Sequence, residues 1–318
     1  MHSKKLLIAF IAILAFIYVF WLTSCSFNKY YSEKQIILGT VVEVTIPSNE
    51  INPQRTSKII LNTIKHYDDM LSYYNKDSYI SRINKAAGVK AVKVPQEVFD
   101  LISYSIYLSE LTNGIFDITY EPLELLWKKV AKERLTPTKE EIEHAKAAVG
   151  YKNIILNIKN STIELQYSQN KINLGGIGKG YILKQLETRL KNNGIDNVLI
   201  NLGGDVLALG TNADGKSWVI GIKDPKDQYN IIKTLNLSNQ VALTSGNYER
   251  FIEIKGKLYH HIINPITGYP VKHDFDSVTL VHDNIEQEYL PSLVVFLVGK
   301  KTAAEILKKF PSITSYIY

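Results

Sequence analysis

Apolar and polar residues follow regular patterns along most of the first half of the chain. The stretch from Ile36 to Ile46 contains V-V-E-V-T-I, and its period of two predicts a strand. Apolar residues at helical spacing predict one helix over Ile60–Leu71 and another over Val98–Leu108. A third helix is predicted to begin at Thr138, which forms a capping box with Glu141, and to end at the next glycine.

The second half is rich in short runs that predict strands and hairpins. The predicted strands are 153–158, 161–167, 198–201, 205–210, 218–222, 251–254, 258–263, 277–281 and 292–298. A helix is predicted over Thr302–Phe310, just before a proline. Helices and hairpins mixed in this way predict an α+β fold: a single domain, residues 36–318, with largely antiparallel sheets and packed helices.

The first residues have the pattern of an export signal. Two lysines precede an unbroken apolar run from Leu6 to Leu22, and L-T-S then leads to Cys25. This ending resembles a bacterial lipobox, which predicts a signal peptide over 1–24, a lipid on Cys25 and a polar tether over 25–35. The protein would then be lipid-anchored on the extracytoplasmic face of a membrane, with the inner or plasma membrane favoured over the outer one. The alternative is an uncleaved membrane helix, because about 17 apolar residues suffice to span a bilayer.

Composition excludes some classes of partner. The chain of 318 residues has a net charge of +6, and its basic residues are spread out rather than clustered. Nucleic acid is therefore not expected as a partner. Cys25 is the only cysteine, so no intramolecular disulfide can form.

A glycine-rich segment, Lys171–Gly180, is the first candidate for chemistry. It reads K-I-N-L-G-G-I-G-K-G, a predicted strand that runs into a turn, and an amphipathic helix follows. Glycines let backbone N–H groups approach an anion, a helix N-terminus favours negative charge, and Lys179 adds a cation. The spacing matches neither a Walker A loop nor the G-x-G-x-x-G fingerprint. A phosphate site and a tight turn that serves packing alone both stay open.

The second candidate segment runs from Tyr259 to Pro270. Adjacent side chains of a strand face opposite ways, so only one of His260 and His261 can face a site, where it could act as a general base. A purely structural histidine is the alternative. The segment 244–248, upstream, is predicted to be a polar turn that either binds phosphate or is a plain loop.

Several segments together resemble the ApbE family of FAD:protein FMN transferases over residues 36–300. The matching motifs are L-G-T at 38, D-S-Y-I-S-R-I-N at 77, N-G-I-F-D-I-T-Y-E-P-L-E-L-L-W at 113, N-L-G-G-I-G-K-G at 173, I-N-L-G-G-D-V at 200, T-S-G-N-Y-E-R-F at 244 and H-I-I-N-P-I-T-G-Y-P at 261. The resemblance implies Mg²⁺-dependent cleavage of FAD, transfer of FMN to a Thr or Ser hydroxyl of an exported or membrane flavoprotein, and release of AMP. It also fits a membrane lipoprotein.

The resemblance implies roles for individual residues as well. His261 matches the catalytic base, and Gly176 and Ser292 are the candidate metal ligands. The candidate residues for binding FAD are Leu38, Tyr74, Ile115, Phe116, Asp117, Asn173, Lys179 and Ile262. Of these, Tyr74 would stack on a ring system of the cofactor.

The chain departs from the family pattern around the metal. The family has Asp at the positions of Asn173, Lys184, Asn264 and Tyr289, and Thr at the position of Leu293. One account is that a nearby glutamate, at 286 or 288, reaches the metal instead. The other is a degenerate metal site in a non-catalytic, flavin-binding lipoprotein. Hydrolysis of FAD to FMN and AMP is a third hypothesis.

Overall fold

The computed structural model describes residues 28–227, 229–248, 251–254 and 256–318. The predicted signal peptide and Cys25 lie outside these residues, so the signal peptide, the lipid and the anchor stay predictions. None of the helices in the described ranges combines the length and the apolar character that a membrane span requires.

A seven-stranded sheet forms the centre of the protein, in the order β1-β2-β6-β7-β10-β13-β14, and every neighbouring pair is antiparallel. Its strands are β1 (Tyr30–Ile37), β2 (Thr40–Pro47), β6 (Val198–Leu202), β7 (Asp205–Leu209), β10 (Gln240–Gly246), β13 (Ser277–His282) and β14 (Ile313–Ile317). Three small antiparallel sheets accompany it. They contain β3 (Val92–Lys93), β4 (Ile154–Asn157), β5 (Thr162–Leu165), β8 (Trp218–Lys223), β9 (Ile231–Leu237), β11 (Phe251–Ile254) and β12 (Lys257–His260).

Helices pack against this sheet and against one another, which confirms the α+β fold class. They are α1 (Pro53–Leu71), α2 (Tyr79–Lys85), α3 (Gln96–Leu111), α4 (Glu121–Glu133), α5 (Lys139–Ala147), α6 (Gly178–Asn192) and α7 (Ser292–Leu307). The capping box at Thr138 is present, with its side chain bound to the N–H of Glu141 and the Glu141 carboxylate bound to the N–H of Thr138. Helices α2 and α4 and strands β3, β9, β10 and β14 were not predicted by the patterns.

The N-terminal boundary of the domain differs from the prediction. The tether was placed over 25–35, and one strand over 36–46, but Tyr30–Ile37 is β1 and pairs with β2 from Tyr30↔Pro47 to Ile37↔Thr40. Leu38 and Gly39, both with positive φ, form the turn that divides the predicted strand. β1 is an edge strand in which seven of the eight residues are exposed or partly exposed, so it lacks the apolar alternation that identifies a half-buried strand.

The C-terminal strand predicted over 292–298 is wrong, because these residues form the first half of α7. Val294, Val295, Phe296 and Leu297 are all buried, and a run that is buried on every side has no periodicity that separates a strand from a helix. The helix predicted to follow is the second half of α7 and ends at Leu307, beyond a break at Gly299.

Two further local predictions are corrected. Residues 244–246 of the predicted polar turn are the end of β10, so only the part beyond Gly246 lies in a turn. The predicted strand before the glycine turn, residues 171–174, belongs to no ladder. There the buried Asn84 replaces a neighbouring strand, since its amide donates to the carbonyl of Ile172 and accepts from the N–H of Ile172, both at 2.8 Å.

The apolar residues divide into one main core and two smaller clusters. The main core lies between the large sheet and helices that include α1, α6 and α7. A smaller cluster, called the α4–α5 cluster here, joins those two helices to the β11–β12 hairpin and the segment after it. Its buried members are Leu123, Trp127, Val130, Ile142, Ala145, Ile254 and Ile263. The α4–α5 cluster matters for function because it supports the segment that contains His261.

Candidate functional site

The glycine turn, residues 175–180, leads directly into α6. The carbonyl of Leu174 accepts the N–H groups of Ile177 (3.0 Å) and Gly178 (2.7 Å), so the chain begins to coil before the helix. The side chain of Asn173 accepts the N–H of Gly175 at 2.8 Å. The turn therefore leads directly into a helix N-terminus, whose dipole favours phosphate groups in many proteins.

The packing beneath the turn requires glycine at one position and tolerates a side chain at another. A Cβ on Gly180 would lie 2.7 Å from the Tyr289 hydroxyl oxygen and 2.9 Å from Leu243 Cδ1. A Cβ on Gly178 would meet nothing within 4 Å. The two glycines are two residues apart, so they form a matched pair.

Gly180→Ala is therefore expected to lower the free energy of unfolding by about 1–3 kcal/mol through overpacking. Gly178→Ala is expected to leave it unchanged or to raise it by up to about 1 kcal/mol, since alanine is the better helix former. Urea unfolding of both variants measures the difference. Equal stability of the two variants would contradict the packing described here.

Lys179 is held in place by a buried carboxylate. Its Nζ lies 2.7 Å from Asp205 Oδ2, and the other oxygen of Asp205 accepts the N–H of Thr244 at 2.9 Å. Asp205 is buried, whereas about a third of the Lys179 side chain is exposed (32%). Asp205 was not among the predicted site residues. The sequence feature that could have identified Asp205 is its position as an acidic residue directly after Gly203-Gly204.

Asn173 connects the glycine turn to two carboxylates of α4. Its amide nitrogen donates to Glu121 and, at 3.3 Å, to Glu124. Lys128 pairs with Glu124 at 2.6 Å and donates to the hydroxyl of Tyr74 at 2.8 Å. An aspartate at 173 would add a third carboxylate here, whereas the amide of Asn173 donates to the two that are present.

Glu121 is fully buried, and burial raises its pKa to about 7. The nearby carboxylate of Glu124 adds to this increase, while the hydrogen bond from Asn173 opposes it. A carboxyl group has an ordinary pKa of 4.5, so the folded protein keeps this proton at pH values where the unfolded chain has released it. Between pH 4.5 and about 7 this group therefore makes the folded state less stable as the pH rises.

Glu121→Gln removes this titration, so the variant should gain stability relative to the parent protein as the pH rises from 5 to 8 (about one unit past the raised pKa). The measurement is the melting temperature of both proteins across that range. The difference between the two melting temperatures is the informative quantity. The reason is that burial lowers the pKa of His282 to about 4, so this histidine makes both proteins more stable as the pH rises towards 6.5. Glu140→Gln, at an exposed position, is the control. A constant difference between Glu121→Gln and the parent would contradict the prediction.

The segment from Ile115 to Asp117 lies beside the turn. Phe116 is buried, and its ring is 3.9 Å from the Cβ position of Gly176. Asp117 uses both of its oxygens internally, since one accepts the N–H and hydroxyl of Thr119 and the other the N–H of Tyr151. Burial raises the pKa of Asp117, and these hydrogen bonds oppose the increase. Asp117 therefore fixes the local loop in this structure, and a contact with FAD stays a prediction.

The two adjacent histidines have different surroundings. His260 is half-buried, its Nε2 donates to the carbonyl of Val271 at 2.7 Å and its Nδ1 accepts the N–H of Ile262 at 3.2 Å. His261 is exposed. Both ring nitrogens of His260 are committed to backbone groups, so His261 is the histidine that can approach a ligand from solvent.

A short loop fixes the chain after His261. Asn264 accepts the N–H of Gly268 at its carbonyl (2.8 Å) and that of Ile266 at its side chain (2.8 Å). The indole N–H of Trp127 donates to the carbonyl of Gly268 at 2.9 Å. Helix α4 therefore contacts both candidate segments, the glycine turn through Glu121 and the histidine segment through Trp127.

The other predicted FAD contacts lie in the following places. Leu38 is in the β1–β2 turn, and its N–H donates to Asp68 at 3.3 Å. Ile115 is partly buried against the main core, and Ile262 is buried in it. Tyr74 is 72% exposed, so a ring system could stack on it. The structure thus brings Asn173, Lys179, Phe116 and Gly176 together at the turn, and it joins Tyr74 to them through Lys128 and α4.

The residues around Gly176 do not fit Mg²⁺, which prefers a nearly octahedral shell of oxygen ligands. Leu293 Cδ2 lies 2.5 Å from the Cβ position of Gly176, so an apolar group fills this side of the turn. Ser292 is buried, and its hydroxyl pairs with that of Ser245 at 2.9 Å. Tyr289, also buried, donates its hydroxyl to the carbonyl of Ile177 at 2.5 Å.

The two glutamates that could have replaced the missing ligands are engaged elsewhere. Glu286 accepts the hydroxyl of Thr188 at 2.6 Å. Glu288 accepts the N–H and the hydroxyl of Ser312, at 2.9 and 2.7 Å. Within the ranges that the structure describes, no group of three or more His, Cys, Asp or Glu side chains is arranged to hold a metal.

Comparisons with known proteins extend over nearly the whole chain. A family model described as the ApbE family matches residues 38–317. A curated protein named FAD:protein FMN transferase, from Klebsiella pneumoniae (strain 342), is 30% identical over 89% of this chain and 87% of its own length. A second with that name, from Escherichia coli (strain K12), is 27% identical over 86% of this chain and 79% of its own length.

Solved structures share the fold. The ApbE protein of Thermotoga maritima superposes with a TM-score of 0.80 at 32% identity, over 91% of this chain and 94% of that one. The flavin transferase ApbE from Vibrio cholerae gives a TM-score of 0.77 at 23% identity, over 91% of this chain and 93% of that one. The shared fold therefore covers most of this chain and most of each solved structure.

Proposed function

The chain belongs to the ApbE family, and on that premise we propose that it is an FAD:protein FMN transferase. This agrees with the family that the sequence motifs indicated. The observation that carries the proposal is the match, over nearly the full length of both proteins, to curated relatives of that name. The substrates would be FAD and a flavoprotein that accepts FMN on a Thr or Ser hydroxyl.

The reaction is a phosphoryl transfer. The acceptor's hydroxyl oxygen forms a bond to the phosphorus of the FMN half of FAD, the pyrophosphate P–O bond breaks, and AMP leaves. His261 would take the proton of the attacking hydroxyl. The glycine turn and Lys179 would hold the pyrophosphate, and Tyr74 would stack on a ring system of FAD. Such reactions depend mainly on positioning and on charge stabilisation, which are what these groups offer.

The sequence around Cys25 supports a location for this activity. A lipid on Cys25 would hold the enzyme at the extracytoplasmic face of the inner or plasma membrane, where exported flavoproteins emerge. The acceptor would accordingly be an exported or membrane flavoprotein of electron transport. Mass spectrometry of the N-terminal peptide from membranes tests this, since an unmodified residue 25 or an intact signal segment would contradict it.

The experiment for the proposed activity uses the full chain in detergent with FAD, millimolar Mg²⁺ and an FMN-binding acceptor domain. Fluorescence of the acceptor band after denaturing electrophoresis detects covalent flavin, and chromatography detects AMP. Covalent flavin with an equal amount of AMP supports transfer. FMN and AMP without labelled acceptor would indicate hydrolysis instead.

A second function is favoured by one observation, the apolar side chain of Leu293 against Gly176. If this site has lost its chemistry, the protein is a non-catalytic, flavin-binding lipoprotein. Tight binding of FAD with neither labelled acceptor nor AMP would support that function and contradict the transferase.

A further inference from the structure

The side chains beside the Cβ position of Gly176 are apolar. Leu293 is in close contact with it, and Phe116 lies on the same side. Leu293 is in the first turn of α7, next to the buried Ser292, so the helix backbone holds it in this position. An ion that needs a complete shell of oxygen ligands would have to displace this side chain.

Tyr289 is fixed at both its ring and its backbone. Its ring stacks on Tyr104 with centroids 5.8 Å apart and lies against the Cβ position of Gly180. Its hydroxyl donates to the carbonyl of Ile177, and its own carbonyl accepts the hydroxyl of Tyr104. The carbonyl of Ile177 is therefore already bonded within the protein, and the ring packs against Tyr104 and Gly180.

Positive charge at the turn comes from the protein itself. The first turn of α6 contains no acidic residue. Lys179 lies in this first turn and is oriented by the buried Asp205, while part of its side chain remains exposed. A helix N-terminus and a positioned ammonium group are both favourable for a phosphate.

We infer that this site binds the pyrophosphate of FAD without a divalent cation, with the N-terminus of α6 and Lys179 as its source of positive charge. The inference rests on the proposed function for the identity of the ligand. The bonds formed and broken in transfer are the same as above, because a cation would be neither consumed nor released.

The first test measures the affinity of the full chain in detergent for FAD by flavin fluorescence anisotropy. It is done once in excess EDTA and once in millimolar Mg²⁺. The affinities should agree to within about twofold, well under the tenfold that corresponds to 1.4 kcal/mol. An affinity about tenfold or more weaker in EDTA would overturn the inference. Undetectable binding in both buffers would overturn it together with the proposed function. Equal FAD binding in the two buffers without FMN transfer would contradict the proposed transferase activity but not this inference.

The second test introduces the oxygen ligands that this chain lacks. Tyr289→Asp combined with Leu293→Thr should weaken FAD binding in EDTA, and Mg²⁺ should restore it, because Mg²⁺ then finds a carboxylate and a hydroxyl at the turn. An unchanged response to Mg²⁺ in a folded double variant would contradict the inference. Leu293→Thr alone is the milder variant, because it changes one partly buried residue. If neither variant folds, the FAD affinities of the parent protein in EDTA and in Mg²⁺ test the inference.

The third test concerns Lys179. Lys179→Met should weaken FAD binding by about tenfold to a hundredfold, equally with and without Mg²⁺, as expected for loss of one charge-assisted hydrogen bond. Lys301→Met, at an exposed position on α7, should leave the affinity unchanged. Recovery of the Lys179→Met affinity by Mg²⁺ would show that a cation can enter the site, against the inference.

Discussion

Replacing His261 by alanine is expected to lower the rate of FMN transfer by about 10²–10⁴-fold while FAD binding changes little. The reason is that a general base acts on the attacking hydroxyl, not on the dinucleotide. His261 is the exposed member of the histidine pair, whereas both ring nitrogens of His260 bond to backbone groups. The measurement is single-turnover labelling of the acceptor at saturating FAD, together with the Kd for FAD.

His261→Gln separates the loss of the base from the loss of bulk. It keeps a polar side chain of similar reach, and it should be as slow as the alanine variant. His144→Ala, an exposed histidine on α5, is the control and should transfer at the parental rate. A His261→Ala protein that transfers FMN at near the parental rate would exclude His261 as the base.

Replacing Trp127 by alanine is expected to lower the free energy of unfolding by about 3–5 kcal/mol, the usual effect of removing a large buried aromatic side chain. Trp127 is 6% exposed and belongs to the α4–α5 cluster, and its ring packs against Tyr259 and Tyr269. Its indole N–H donates a hydrogen bond from α4 to the carbonyl of Gly268, in the loop after His261. Urea unfolding measures the loss.

Phenylalanine at the same position tests whether Trp127 also positions the loop. Trp218 is a matched control, since it is equally buried and donates its indole N–H to the carbonyl of Leu209, in the sheet. Trp127→Phe and Trp218→Phe each lose one such bond, at about 1–3 kcal/mol. Only Trp127→Phe should also lower the transfer rate at unchanged FAD affinity. Equal rates in the two variants would show that Trp127 acts through stability alone.

Local patterns predicted the elements that local physics governs. Helices α1 and α3 follow from apolar spacing, the start of α5 from the capping box, and the β4–β5, β6–β7 and β11–β12 hairpins from alternation around turns. The family motifs, being contiguous in the sequence, also indicated the candidate site residues. These features depend on residues within a few positions of one another, so the sequence alone is enough to find them.

Other parts of the fold depended on contacts between distant residues. The first half of α7 is buried on all sides, and the exposed edge strand β1 is defined by its pairing with β2, so neither has an informative pattern. The hydrogen bond from Asn173 to Glu121 likewise joins residues that are 52 positions apart, so no local pattern indicates it.

The amino-acid sequence by itself determined the family, the fold class, the glycine turn and the export pattern that ends at Cys25. The resemblance to the family also implied that Tyr289 and Leu293 stand at the positions of metal ligands, but the sequence did not indicate what these two residues do. Tertiary structure decided that, since Tyr289 bonds to Ile177 and Leu293 packs on Gly176 from more than a hundred residues along the chain. Side chains so far apart in sequence meet only when α6 and α7 pack against the same sheet, because their contact depends on the packing and not on the order of the residues.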